Sequence, residues 1–259
     1  MTILRIEGLN KDFGGLRALN EVTLDVEHGE ILGLIGPNGS GKTTLLNIVT
    51  GFLNPTAGSV YYKGEPITGL KPYQIAARGV TRTFQLTSLF PDLTVSENII
   101  RGNFLYSKSS YIGALIWSKN YKKEEDKLRQ EVMAILNFVN MKKKRDVLSK
   151  NLPAAEQRIL EIAIALAAKP ELLLLDEPAS GMNLPEAESA MTLIRSIQQT
   201  GTTVVIVEHN MKVIMQLCSR IAVLNQGVLI AEGAPQEISR NKEVIAVYLG
   251  KRREKNAQS

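Results

Sequence analysis

Cysteine is nearly absent from this chain. Cys218 is the only one in 259 residues, which excludes an internal disulfide and suits a reducing compartment. Histidine is almost as scarce, so a histidine doing chemistry has to be His28 or His209. No apolar run approaches the roughly 18–20 residues needed to span a bilayer, so a role at a membrane requires a partner. No signal-peptide pattern opens the chain, since Met1-Thr2-Ile3-Leu4-Arg5 leads straight into a strand-like alternation. These absences lead us to expect a soluble, intracellular protein. Segregated charge is missing too. The net charge of +5 and the pI near 9.2 come from interspersed acids and bases. The one basic cluster, Lys251-Arg252-Arg253-Glu254-Lys255, reads as a solvated, frayed terminus rather than a lipid or nucleic-acid patch.

What is present is enough apolar material for a large core, at 44% of residues, in a length that fits one large domain or a core with a subdomain. The stretch that organises the chain is Gly36, Pro37, Asn38, Gly39, Ser40, Gly41, Lys42, Thr43, which fits Gly-x-x-x-x-Gly-Lys-[Ser/Thr] at every fixed position. Its glycines let the backbone curl so that successive N–H groups converge on phosphate oxygens. Lys42 then reaches the β/γ-phosphates and the Thr43 hydroxyl holds Mg²⁺. The flanks supply the right context. Glu30 to Ile35 reads as a buried strand, and Thr44 to Val49 as a helix whose N-terminus faces the anion. The chain binds a nucleotide on this reading.

Along the chain, Ile3–Glu7 and Val22–Val26 alternate as half-buried strands, separated by a Lys11–Gly15 turn that carries Phe13. Phe13 either stacks on a base or packs on its own turn. A strand-like segment runs from Gly79 to Gln85, followed by a loop with apolar teeth at Leu86, Leu89 and Phe90. Thr94 and Glu97 form the pattern of a capping box, and the chain from there to about residue 150 is helical and more charged. Inside it, the aromatic segment Asn103 to Asn120 reads as an insertion folding back on its own helices, with contact to a membrane subunit as the other reading. Lys142-Lys143-Lys144-Arg145 reads as a solvated helix end favoured by the dipole. A further helix spans Pro153 to Ala168. Leu172-Leu173-Leu174-Leu175 then forms a fully apolar run ending on Asp176-Glu177, which implies a central parallel strand with helices on both faces. A helix over Pro185–Gln199, a second central strand Thr203–Val207 ending on Glu208-His209, and short strands at Ile221–Val223 and Val228–Ala231 complete an α/β pattern.

In parallel α/β sheets, ligands bind beyond the carboxyl ends of the strands. Gln85, Asp176, Glu177 and His209 each stand at such an end, on the rim that carries Lys42. Asp176 is placed to bind Mg²⁺ with Thr43, and Glu177 to orient or deprotonate water at the γ-phosphate. His209 is placed to hold that arrangement through a hydrogen bond to the γ-phosphate.

On these residues the chain resembles the nucleotide-binding subunit of an ABC transporter. The matching motifs are Phe13, the loop Gly36–Thr43 with Thr44 behind it, Gln85, Asp176-Glu177 and His209. The segments Arg82-Thr83-Phe84-Gln85, Leu93 to Asn98, the insertion and Gly181-Met182-Asn183 resemble the branched-chain amino-acid uptake branch. The resemblance implies an ABC cassette over residues 1–250 followed by the basic tail 251–259. Within the cassette, residues 1–92 and 170–250 form a RecA-like catalytic core with an antiparallel β subdomain. Residues 93–169 form a helical subdomain holding the insertion (103–120) and the signature region (152–158). It further implies ATP and Mg²⁺ as ligands, with Phe13 at the base and Thr43, Gln85 and Asp176 around the metal. Glu177, Gln85 and His209 would serve catalysis. The implied partners are a second ATPase subunit facing it head to tail, transmembrane permeases and, indirectly, a solute-binding protein, with no nucleic acid. The implied location is the peripheral cytoplasmic face of a membrane. Branched-chain or related amino acids are the expected cargo. Lipid or lipopolysaccharide export and a nucleotide-gated regulatory subunit are the alternatives.

The signature departs from the family pattern. Leu-Ser-Gly-Gly-Gln is replaced by Leu152, Pro153, Ala154, Ala155 and Glu156. Pro153 lacks both a hydroxyl and an N–H, and Ala154 and Ala155 place methyl groups where glycine allows the closest approach. The composite site that uses this signature contains the partner's phosphate loop, so we expect weakening there rather than at Lys42 and Glu177.

Overall fold

The computed structural model describes residues 1–83, 89–106 and 119–248. Strands β1 (Thr2–Phe13) and β2 (Leu16–Glu27) form a long antiparallel hairpin across Gly14-Gly15. They extend well past the segments in which alternation is visible. The reason is a set of bulges: the pairing register shifts between Ile6 and Leu9 and again near Lys11, and Gly8 and Glu21 both take positive φ. The Asn10 side chain repairs the gap, donating to Gly8 O and Glu21 Oε1 while accepting from Glu21 N–H. A strict period of two is therefore lost in the sequence while the strand continues.

Strand β3 (Ile31–Ile35) leads through the glycine-rich loop into α1 (Lys42–Val49). Then β4 (Ala57–Tyr62) and β5 (Glu65–Pro66) complete a sheet in the order β2-β1-β4-β5. A short helix α2 (Pro72–Ala76), not visible in the sequence pattern, precedes β6 (Val80–Arg82). That strand is shorter than the one expected over Gly79–Gln85, and residues 84–88 lie outside the described part. Helices α3 (Val95–Tyr106), α4 (Lys119–Phe138) and α5 (Ala154–Ala167) follow. Thr94 caps α3 as expected: its hydroxyl accepts from Glu97 N–H, and Glu97 accepts from Thr94 N–H. Helix α4 stops at Phe138, and Asn140 turns the chain at φ 57°. Lys142–Lys144 thus forms a separate 3₁₀ turn instead of the end of a long helix, and Lys144 pairs with Glu156.

The remaining elements are β7 (Leu172–Asp176), α6 (Leu184–Gln199), β8 (Thr203–Val207), α7 (Met211–Leu217), β9 (Arg220–Asn225), β10 (Val228–Gly233), α8 (Pro235–Arg240) and α9 (242–248). The second sheet runs β10-β9-β3-β8-β7-β6, with parallel pairing from β9 to β6. The central strands β3, β7 and β8 are buried on both faces, which is why they read as apolar runs. Leu32, Leu34, Leu172, Leu174, Val205 and Val207 enter the layer beneath the antiparallel sheet and α1. Their neighbours Ile31, Ile35, Leu173, Leu175, Val204 and Ile206 enter the opposite layer with residues of α6 and α7. A third cluster, built on Val95, Ile99, Leu136 and Leu160, holds α3, α4 and α5 together.

Candidate nucleotide site

Register places the chemistry on one rim. Asp176, the last residue of β7, lies opposite Val207 of β8, which lies opposite Leu34 of β3. Glu177, Glu208 and the loop at Gly36 therefore leave adjacent strands at the same end of the sheet.

The loop is held by close packing as well as by its own curvature. A Cβ on Gly36 would stand 2.0 Å from Leu224 O, and one on Gly41 (φ 106°) would stand 2.7 Å from Ala18 O. The glycines are needed against the flanking strands, a reason additional to phosphate approach. Lys42 is 6% exposed and its ammonium donates to Gly36 O (2.8 Å) and Pro37 O (3.0 Å). It stands over the loop, where phosphate oxygens would compete for it. Helix α1 begins at Gly41 with no side-chain cap and no acidic residue in its first turn, leaving the terminal N–H groups to an anion. Ser40 is buried, Thr44 half-buried, and Asn38, Gly39 and Thr43 exposed. Helix α9 brings Tyr248 to the same place: burial raises its phenol, and a hydrogen bond from the Gly36 backbone partly offsets this.

Glu177 follows β7 in the left-handed region, φ 50°, and donates its N–H to Val207 O at 2.8 Å. A non-glycine residue there is strained, of the kind that clusters at functional sites. Its carboxylate meets His209 Nε2 at 2.6 Å. The structure brings these two together directly, where the sequence had each facing phosphate. Glu208, which sequence reasoning passed over, fixes the loops that carry them. It is 3% exposed and accepts from Ala179 N–H (2.7 Å) and His209 N–H (3.1 Å). Burial pushes its pKa above the ordinary carboxylate value, these N–H groups oppose the rise, and the Glu177 charge adds to it.

Asp176 makes a contact the sequence did not suggest. Its Oδ2 accepts from Arg82 Nη2 at 2.7 Å, with both side chains 6% exposed. Arg82 also donates to Asn47 Oδ1 on α1 at 2.6 Å. Gln85 and Leu86 fall outside the described residues, as do the tail 251–259 and most of the aromatic insertion. Among the described residues no group of three or more His, Cys, Asp or Glu side chains is placed to hold a metal. The Thr43 hydroxyl and the Asp176 carboxylate are the sparse oxygen set that suits Mg²⁺, which keeps its waters and takes phosphate oxygens as ligands.

Phe13 ends β1 at the hairpin tip, 46% exposed, with Lys11 Nζ 5.0 Å from its ring centroid. The ring is thus half exposed, with Lys11 of the same turn beside it. Phe90 is 41% exposed beneath the Arg101 guanidinium, 4.8 Å from its ring centroid. The altered signature lies in the helical part. Leu152 is buried there, Pro153 is the uncapped N-cap of α5 (φ −55°), and Pro153 and Ala154 are exposed. Glu156, in the first turn of α5, is engaged by Lys144.

Residues 19–180, which contain the loop, Asp176 and Glu177, match the model of the ABC transporter family. The chain belongs to that family. Residues 228–254 of this ABC cassette also match the model of the branched-chain amino acid ATP-binding cassette transporter. It is 38% identical to the high-affinity branched-chain amino acid transport ATP-binding protein BraF of Pseudomonas aeruginosa, covering 96% of this chain and 98% of the relative. It shares the same identity and coverage with the corresponding protein LivG of Escherichia coli K12. Among solved structures, the cassette resembles an ABC transporter ATP-binding cassette in its ADP conformation. The TM-score is 0.85 at 31% identity, covering 96% of this chain and 99% of that one. It also resembles a dimeric ATP-binding cassette in a post-hydrolysis state with ADP and Pi, at TM-score 0.76 and 25% identity over 90% of this chain and 99% of that one. Among the described residues of the cassette, no helix is long and apolar enough to cross a membrane.

Proposed function

We propose that the chain is the ATP-binding and hydrolysing subunit of an ABC importer for branched-chain or related amino acids. It works peripherally at the cytoplasmic face, with transmembrane permeases and a second ATPase subunit. The observation that carries the catalytic part is the 2.6 Å contact between Glu177 and His209 beside the phosphate loop. The cargo reading is supported by the names of the relatives and by the match at residues 228–254.

In this reading the loop amides of Gly39, Gly41 and Lys42 receive the phosphates, Lys42 exchanges its carbonyl partners for phosphate oxygens, and Phe13 faces the base. Thr43, Asp176 and Gln85 would hold Mg²⁺, which would supply neutralisation of the phosphate charge. Glu177 accepts the proton of the attacking water. His209, already on Glu177, keeps that carboxylate oriented and reaches the γ-phosphate when nucleotide draws the two loops together. The γ-phosphate is completed by the signature of the partner. This chain offers Pro153, Ala154 and Ala155 in return, so the site it completes is the weaker one. Each lost hydrogen bond to a charged group costs about 1.5–3 kcal/mol.

The test is Glu177→Gln in the assembled complex. The variant is expected to bind ATP with near wild-type affinity and to lose at least about 100-fold in turnover, the scale of a general base. Turnover at the wild-type rate from this chain's site would remove Glu177 from its role.

A further inference from the structure

Among the described residues, Arg82 and Asp176 form an ion pair buried on both sides. Arg82 is the last residue of β6, the edge strand of the main sheet, where it lies opposite Leu174 of β7. Its guanidinium is taken out of water, and among its partners are two acceptors on neighbouring elements: Asp176 Oδ2 at 2.7 Å and Asn47 Oδ1 at 2.6 Å. The next residue grips the same strand end, since Thr83 N–H donates to Leu174 O and Thr83 Oγ1 accepts from Asp176 N–H at 3.2 Å. Asp176 is thus fixed by side chain and backbone from one dipeptide. Its other oxygen, Oδ1, takes no hydrogen bond from any described residue.

A buried ion pair is weak evidence for stability, because desolvating both charges offsets much of their attraction. The geometry here has a more specific consequence. Asn47 stands one helical turn beyond Thr43 on α1, so the fork of Arg82 ties the helix that carries Thr43 to the strand that carries Asp176. Lysine could neutralise Asp176 but, as a point charge on a flexible stem, could not span both acceptors in this planar way.

We propose that Arg82 is a positioning residue for the divalent cation of the nucleotide site. It holds Asp176 by Oδ2, directs Oδ1 toward the rim, and sets the spacing between Asp176 and Thr43 through Asn47. This rests on the functional reading above for the identity of the metal-binding pair. Phosphate contacts belong to the loop and do not involve Arg82, so cation affinity and metal-free nucleotide affinity should separate.

The experiment uses the full chain with Arg82→Lys and, separately, Asn47→Ala, which leaves the buried charge pair in place. Mn²⁺ binding in the presence of a non-hydrolysable ATP analogue is read by electron paramagnetic resonance. Binding of a fluorescent ATP analogue is measured in EDTA. Arg82→Lys is expected to weaken Mn²⁺ about tenfold or more, the range for a lost outer-shell partner, and Asn47→Ala by less. Binding in EDTA stays within about twofold, because the loop is untouched. Unchanged Mn²⁺ affinity in both variants would overturn the proposal, and so would equal weakening of both measurements, the mark of a merely structural residue. If wild type binds Mn²⁺ with ATP but the assembled complex neither hydrolyses nor transports, the functional reading fails while this inference stands.

Discussion

Glu208 is a carboxylate whose ionisation the fold opposes, and it fixes the loop that carries His209. Its folded pKa is raised from 4.5, chiefly by burial. Between the unfolded and folded values the native state binds the extra proton, so this group's contribution to stability falls as pH rises through that window and is recovered below it. Glu208→Gln keeps an acceptor for Ala179 N–H and removes the charge. Thermal melts of both proteins from about pH 4 to pH 7 should therefore shift in favour of the variant as pH rises. Parallel curves would contradict the assignment. The same substitution should lower ATPase turnover, because Glu208 also accepts from His209 N–H and so fixes the loop that presents the histidine. At this scale the motif residues were legible, since phosphate and metal chemistry restrict them to few types. Arg82 and Glu208 were not. A charged residue at the end of an apolar strand has no sequence mark that separates a buried, paired side chain from a solvated one.

Helix starts divide the elements into supported and unsupported ones. Helix α3 opens on the Thr94–Glu97 box, and α6 opens on a reciprocal pair in which Asn183 accepts from Glu186 N–H and Glu186 accepts from Asn183 N–H. Thr94→Ala should cost about 1 kcal/mol in chemical denaturation and leave nucleotide binding unchanged. A cost near zero would mean the cap is dispensable. Helix α5 has no such support, since Pro153 supplies no side-chain cap. Replacing Pro153→Ser, Ala154→Gly and Ala155→Gly together should raise the ATPase rate of the assembled complex, and no gain would sink the claim that this signature limits its composite site. The Thr94–Glu97 box was legible from its spacing, as were the central strands, because burial on both faces demands unbroken apolar runs, whereas the Asn183–Glu186 box emerged only in the structure. The hairpin β1–β2 was only half legible, since bulges at Gly8 and Glu21 shift the alternation. Helices α2 and α9 were missed because each is too short to show a period. Only the structure shows that α9 carries Tyr248 to the loop at Gly36.

On the proposed function, the molecule as a whole presents two unequal contributions to a shared catalytic unit. One is a nucleotide site with its loop, its Glu177–His209 pair and its Asp176–Arg82 pair assembled on one rim. The other is a signature helix whose first turn exposes proline and alanine and whose Glu156 is engaged by Lys144. On that proposal, a different partner ATPase with an intact signature would leave this chain's own site complete, whereas two copies of this chain would weaken both sites. We propose that hydrolysis at this chain's own loop drives import. This proposal is tested most directly in proteoliposomes holding the complete transporter, by following ATP-dependent uptake of labelled leucine with wild type and with Lys42→Ala. Uptake that depends on ATP and collapses in the Lys42→Ala complex is the predicted result. Uptake at the wild-type rate in that complex would contradict the account.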